Sequence, residues 1–135
     1  MRNYNIRLEK YGISKNAFEE LRAFCLQYPE KKRKVAEAIS IKSPNFSGMP
    51  HGYNVSDPTA KAAESIEKNQ ADIDLIEQTA KEVDDFLAPW LIIGVTQNVP
   101  TSILIARDSM PTSRDIYNQK RRQFYYLLAF KKRMI

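Results

Sequence analysis

The sequence predicts an all-α protein. Three observations predict it: long stretches without Gly or Pro, residues at their starts that cap helices, and apolar side chains at helical spacing. The 135 residues include only seven Pro and four Gly, and most of them fall between the helical stretches. The expected organisation is an N-terminal helical region and loop over 1–57, one long central helix over 58–83, and a helix-turn-helix-like C-terminal domain over 84–135.

Residues 1–13 are polar with scattered Tyr4, Ile6, Leu8 and Tyr11, and read as an extended arm or an irregular start. Ser14 is a good N-cap. Phe18, Leu21 and Cys25 follow at helical spacing, so a helix is expected from Lys15 to about Gln27. Tyr28-Pro29 closes it, because the residue before proline is disfavoured in helix, and Pro29 also suits the first turn of a second helix. Val35, Ala36 and Ile39 form that helix's apolar stripe. The run Lys31–Lys34 is a solvated face or an auxiliary phosphate contact.

Lys42–Asp57 carries two Pro, two Gly, two Asn and three Ser, and reads as a loop. It also holds Phe46, Met49 and Tyr53, which suggests that it wraps over the core or binds a partner. His51, the only histidine, lies here with no catalytic partner in view. Asp57-Pro58 starts the long helix, with Asp as N-cap and Pro in the first turn. Thr59, Ile66, Ile73 and Ala80 repeat every seven residues, with Ala62, Asn69, Ile76 and Val83 offset between them, as in a coiled-coil seam. This seam serves either a homodimer or packing against the first two helices. Glu64, Glu67, Asp72, Asp74 and Glu77 make its outer face acidic. Asp84 and Asp85 open the next helix, with Phe86, Leu87, Trp90, Leu91 and Ile93 as its core set and an end near Thr96–Asn98. Pro100 starts a short helix, Thr101 to about Ala106, and Arg107–Pro111 is a turn.

The last helix carries the functional argument. Thr112 is its expected N-cap, with Asp115 completing a capping box, and no breaker follows to the end of the chain. Ile116, Leu127, Phe130 and Met134 fall on one side, expected to be core. Arg114, Tyr117, Asn118, Arg121, Tyr125 and Lys132 fall on the other, expected to face outward. Short helix, turn and basic helix is the helix-turn-helix order. Arg114 suits a guanine edge and Asn118 an adenine edge. Thr112, Ser113 and Tyr117 suit phosphates, and Arg121 and Arg122 lie deeper, where backbone contacts are expected.

Charge supports the same reading. Net charge is +5, unevenly spread. Residues 1–57 carry ten Lys/Arg against six Asp/Glu, residues 58–99 three against eight, and residues 100–135 eight against two, giving +4, −5 and +6. A basic block behind an acidic middle is the asymmetry of a nucleic-acid binder. A single cysteine excludes an internal disulfide and a cysteine zinc cluster, and Cys25 beside Phe24 reads as core. Phe86–Val95 is the longest apolar run and is too short to span a bilayer. The N-terminus has no apolar signal core. No Gly-rich phosphate loop, metal motif or nucleophile–base pair points to catalysis. A soluble non-enzyme without cofactor or metal is expected.

Four stretches resemble one family. They are YGISKNAFEELRAFCLQYPEKK, SPNFSGMPHGYNVSDPT, the LIEQTAKEVD…PW…VT run, and MPTSRDIYNQKRRQFYYLLAFKKR. In this order they resemble the RinA/ArpU group of phage transcriptional regulators, sometimes described as sigma-factor-like. The SGMPHG…SDPT loop before a long helix is the most specific part. The resemblance implies control of phage or prophage genes through a C-terminal helix-turn-helix, in the cytoplasm of a bacterial host. The implied partners are double-stranded DNA and, with it, host RNA polymerase. The turn in LIARDSMPTSRDIY is longer and less Gly-rich than a compact one. The alternative is a helical phage protein that binds a host protein such as RNA polymerase as adaptor or inhibitor.

Overall fold

A computed structural model describes residues 12–41 and 56–135, with the side chains of 41, 56–59 and 62 left aside. The chain is all-α, with no strand among the described residues. Its helices are α1 (Lys15–Leu26), α2 (Tyr28–Ile41), α3 (Ser56–Val83), α4 (Ala88–Gln97), α5 (Thr101–Ala106) and α6 (Arg114–Lys131). The readings of Tyr4, Ile6, Leu8 and Tyr11, and of Phe46, Met49, His51 and Tyr53 in the loop, lie outside the described residues.

Local chemistry sets most boundaries. Ser14 is extended, and its hydroxyl accepts the Ala17 N–H at 3.1 Å, satisfying one of the first-turn donors that no helical carbonyl reaches. Gln27 ends α1, and Tyr28-Pro29 begins α2. α4 begins at Ala88, later than Asp84. The intervening turn is fixed by the Asp84 carboxylate, which accepts the Leu87 N–H at 3.0 Å. Its buried set is Leu87, Ala88, Leu91, Gly94, Val95 and Thr96. Phe86, expected in the core, is 66% exposed and leans on Trp90 with ring centroids 5.9 Å apart. It precedes the helix, so helical spacing does not govern where it points.

The chain forms two compact units, one comprising the chain up to Gln27 with Leu75–Ile135, the other Tyr28–Asp74. These borders differ from the sequence breaks at 57/58 and 83/84. Breakers mark where helices end, whereas packing decides which helices belong together, and α3 runs through residue 74 without interruption.

In the second unit Lys31 pairs with Asp72 at 2.9 Å, both side chains largely covered, and Lys32 sits over the Tyr28 ring at 5.3 Å. With Arg33 beside Glu37 at 3.9 Å, three members of the Lys31–Lys34 run thus have partners within this unit. Of the expected α2 stripe only Val35 is buried, while Ala36 and Ile39 are exposed.

In the first unit α1 packs on α4 and α6, and α4, α5 and α6 each pack against the other two. Leu21, Cys25, Leu91, Leu104, Phe124 and Leu128 fill the core, Cys25 among them as expected. Thr79 and Thr96 are also buried, and their hydroxyls donate to the Leu75 and Ile92 carbonyls at 2.6 Å each. This i−4 back-bonding leaves neither hydroxyl unsatisfied.

The heptad seam of α3 is largely consumed within the chain. Ile73, Ile76 and Ala80 are buried, Val83, Ile66 and Asn69 half-buried. Ile76→Asp places an uncompensated carboxylate in the core and is expected to cost more than about 4 kcal/mol. It abolishes the cooperative urea transition, whereas the half-buried Ile66→Asp leaves one. A folded Ile76→Asp monomer would show instead that the seam is an interface between copies.

Candidate nucleic-acid interface

The connection between α5 and α6 is held by three features. The Met110 N–H donates to the Leu104 carbonyl at 3.0 Å, with the Met110 side chain buried. Ser109 takes the left-handed conformation at φ 55°, where a short polar residue is tolerated better than a branched one. The Trp90 indole N–H of α4 donates to the Asp108 carbonyl at 2.8 Å. A turn of this length, without glycine, is thus tied to both preceding helices.

α6 is capped by Ser113, not Thr112. The Ser113 backbone is extended and its hydroxyl accepts the Ile116 N–H at 3.3 Å. The expected Thr112–Asp115 box is therefore out of register by one residue, and Asp115 acts only as a first-turn acid facing the helix dipole.

The faces of α6 are the reverse of the periodicity reading. Tyr117, Phe124, Tyr125, Leu128 and Ala129 are buried. Ile116 is 46% and Phe130 61% exposed, and Leu127 and Met134 are half-buried. Both stripes have helical spacing, so size decides between them. A buried aromatic side chain removes about 150–250 Å² from water, worth roughly 4–6 kcal/mol each before entropy at ~25 cal/mol per Å². Three such rings outweigh one ring and three aliphatic chains. Phe124 and Phe18 each meet the Tyr125 ring edge-on, at 5.4 and 5.1 Å.

The expected DNA-contacting residues separate accordingly. Ser113 and Arg114 are exposed, and Thr112, Asn118 and Arg122 are half-buried. Tyr117 is 1% exposed and cannot reach a phosphate without leaving the core. Burial pushes its phenol up to about 12, against the opposing pull of Arg121. Burial likewise raises Tyr125, against the opposing pull of the nearby Arg121. The Arg121 guanidinium thus lies among the buried phenols. Its Nε and the Tyr117 hydroxyl are buried without a hydrogen-bond partner among the described residues.

Tyr117 reaches α4 at Gly94. A Cβ there would overlap the Tyr117 hydroxyl and stand 3.2 Å from its Cζ and 3.4 Å from Leu104 Cδ1. Glycine is therefore required in the middle of α4 despite its cost in a helix.

Several cations of α6 have partners inside the same unit. Lys131 pairs with Glu82 at 2.8 Å and Lys120 with Asp84 at 3.4 Å. Lys132 lies over the Phe24 ring at 3.9 Å, a cation–π geometry. The basic end of the sequence is thus partly neutralised by the acidic stretch before it. What the first turns of α6 present outward is Arg114, Asp115, Ile116, Gln119 and Gln123. Sequence reasoning missed the last three. The signal available for finding them was the aromatic stripe, which once assigned to the core puts the glutamines outside.

Among the described residues no helix is long and apolar enough to cross a membrane, and no three His, Cys, Asp or Glu side chains gather where they would hold a metal. The chain matches no family model, no curated protein and no solved structure.

Two expected outcomes test this geometry. Gly94→Ala gains helix propensity but overpacks against Tyr117, and is expected to lower stability by about 1–3 kcal/mol. Adding Tyr117→Phe restores most of that loss, because the overlapping hydroxyl also lacks a partner. Urea midpoints of both variants and the double variant check this. Asp84 is held below its ordinary value of 3.8, first by the Leu87 N–H and also by Lys120, against the opposing cost of burial. Its contribution is therefore complete above that value and disappears as pH falls through the lowered native one. Asp84→Ala is expected to lose stability at neutral pH and to show a shallower acid dependence below pH ~4, measured by thermal unfolding across pH.

Proposed function

We propose that the chain is a DNA-binding transcriptional regulator acting through α5, the tied turn and α6. The observation that carries this reading is the mutual packing of α4, α5 and α6, with α6 preceded by a fixed turn and its outward face left open in the first turns. A helix so mounted has the support that a major-groove reader needs. The net +6 of residues 100–135, after the pairings of Lys120 and Lys131, leaves exposed Arg114 and Arg133 to meet phosphates. The resemblance to phage regulators supports phage or prophage genes as the target, in a bacterial cytoplasm. This reading involves no catalysis.

A second reading has its own observation. Phe86, Ile116, Tyr126 and Phe130 are exposed in the same unit, a surface composition that suits a protein partner. On this reading the chain is a helical adaptor or inhibitor of a host protein such as RNA polymerase.

Binding to duplex DNA should weaken steeply with salt, because each neutralised phosphate releases counterions. Arg114→Ala is expected to weaken binding to all duplexes alike and to reduce the salt slope by about one, as measured by fluorescence anisotropy at several salt concentrations. Absence of duplex binding at low salt overturns the DNA reading. Retention of the RNA polymerase by nuclease-treated tagged protein, lost on Phe130→Ser, would then establish the adaptor.

A further inference from the structure

We infer that base recognition on α6 is carried by Gln119 and Gln123, assisted by Ile116, and that the face they form selects A·T pairs. This rests on the DNA-binding reading above and identifies which side chains would read sequence. Among the described residues of α6, Tyr117 and Tyr125 are buried. Asn118, Arg121 and Arg122 are half-buried, with the Arg121 Nε fully covered. Lys120 is half-buried and bridges to Asp84 at 3.4 Å. Besides Arg114 and the first-turn acid Asp115, the exposed side chains over its first three turns are Ile116, Gln119 and Gln123. They stand at i, i+3 and i+7, one above another on the helix.

Their chemistry points one way. A glutamine amide offers one donor and one acceptor side by side, which match adenine N7 and N6 in the major groove. Guanine presents two acceptors there, N7 and O6, which arginine or lysine satisfies and a single amide fork does not. An exposed β-branched apolar side chain suits the thymine methyl group. Gln119 and Gln123 are separated by about 6 Å along the axis at 1.5 Å per residue, and base pairs rise about 3.4 Å each, so they would address pairs about two steps apart. Arg114, at the first helical position, is left for phosphate.

The test uses the full chain and a pool of randomised duplexes, selected at low salt. Enriched duplexes are expected to share A·T pairs at two positions about two steps apart. Replacing either pair by G·C should weaken binding about 5- to 150-fold. Gln119→Ala and Gln123→Ala should each remove that discrimination at one of the two positions while binding unrelated duplex within about twofold of the wild type. Both side chains are exposed, and circular dichroism confirms that the variants fold. Wild type that binds duplex but selects G·C at these positions, or a double variant that keeps the A·T preference, overturns the inference and leaves DNA binding standing. No duplex binding by wild type overturns the function proposed above, and this inference with it.

Discussion

The close approach of α6 to α4 at Gly94 is the constraint on which the first unit depends. Tyr117 lies where a Cβ on α4 would be, and Leu104 of α5 borders the same point. Three helices therefore converge on one residue without a side chain. The approach fixes the rotation of α6 about its axis, because turning it outward would withdraw Tyr117, Phe124 and Tyr125 together. Those rings contribute on the order of 10–20 kcal/mol of gross burial, most of it offset by conformational entropy. No surface ion pair competes with that, since exposed pairs are typically worth under about 1 kcal/mol. The rotation of α6 in turn decides which side chains are available to a partner.

Charge plays a secondary part. Glu82 meets Lys131 at the C-terminal end of α6 and Asp84 meets Lys120 at its second turn, so the acidic middle and basic end of the sequence partly answer one another within one unit. Asp84 also caps the turn before α4 through the Leu87 N–H. One carboxylate thus helps place both α4 and α6. A net charge summed over a segment cannot distinguish cations held by internal acids from cations open to phosphate.

The helices themselves were largely legible in the sequence. Ser14, Pro29 and Pro100 mark boundaries close to where the structure has them, because capping and the missing proline N–H act locally. The faces of α6 were less legible, since two stripes of equal periodicity run along it. Treating Tyr117 and Tyr125 as polar tips, not as large rings, selects the wrong one. The packing of α1 with α4 and α6 carried no local signal at all, and that is why the units cross the breaks set by Pro and Gly. The Ser113 cap is a one-residue choice between two adjacent hydroxyls, which sequence alone does not separate.

The buried tyrosines also explain why so polar a helix stays in one place. Arg121 lies close to the Tyr117 and Tyr125 phenols, and the Tyr117 hydroxyl and the Arg121 Nε have no partner among the described residues. Leaving a buried donor unpaired costs about 1–3 kcal/mol, so this arrangement is not the most stable core available to the fold. A phenylalanine at 117 would remove the orphaned hydroxyl and relieve the crowding at Gly94. The polar atoms raise the penalty for alternative packings, because any rotation that buries Ile116 or Phe130 instead must re-solvate or re-pair a guanidinium and two phenols. The aromatic area supplies the stability, and the polar atoms within it restrict α6 to one orientation. That restriction is what keeps Gln119 and Gln123 outward together, on a single face of a helix anchored at its turn.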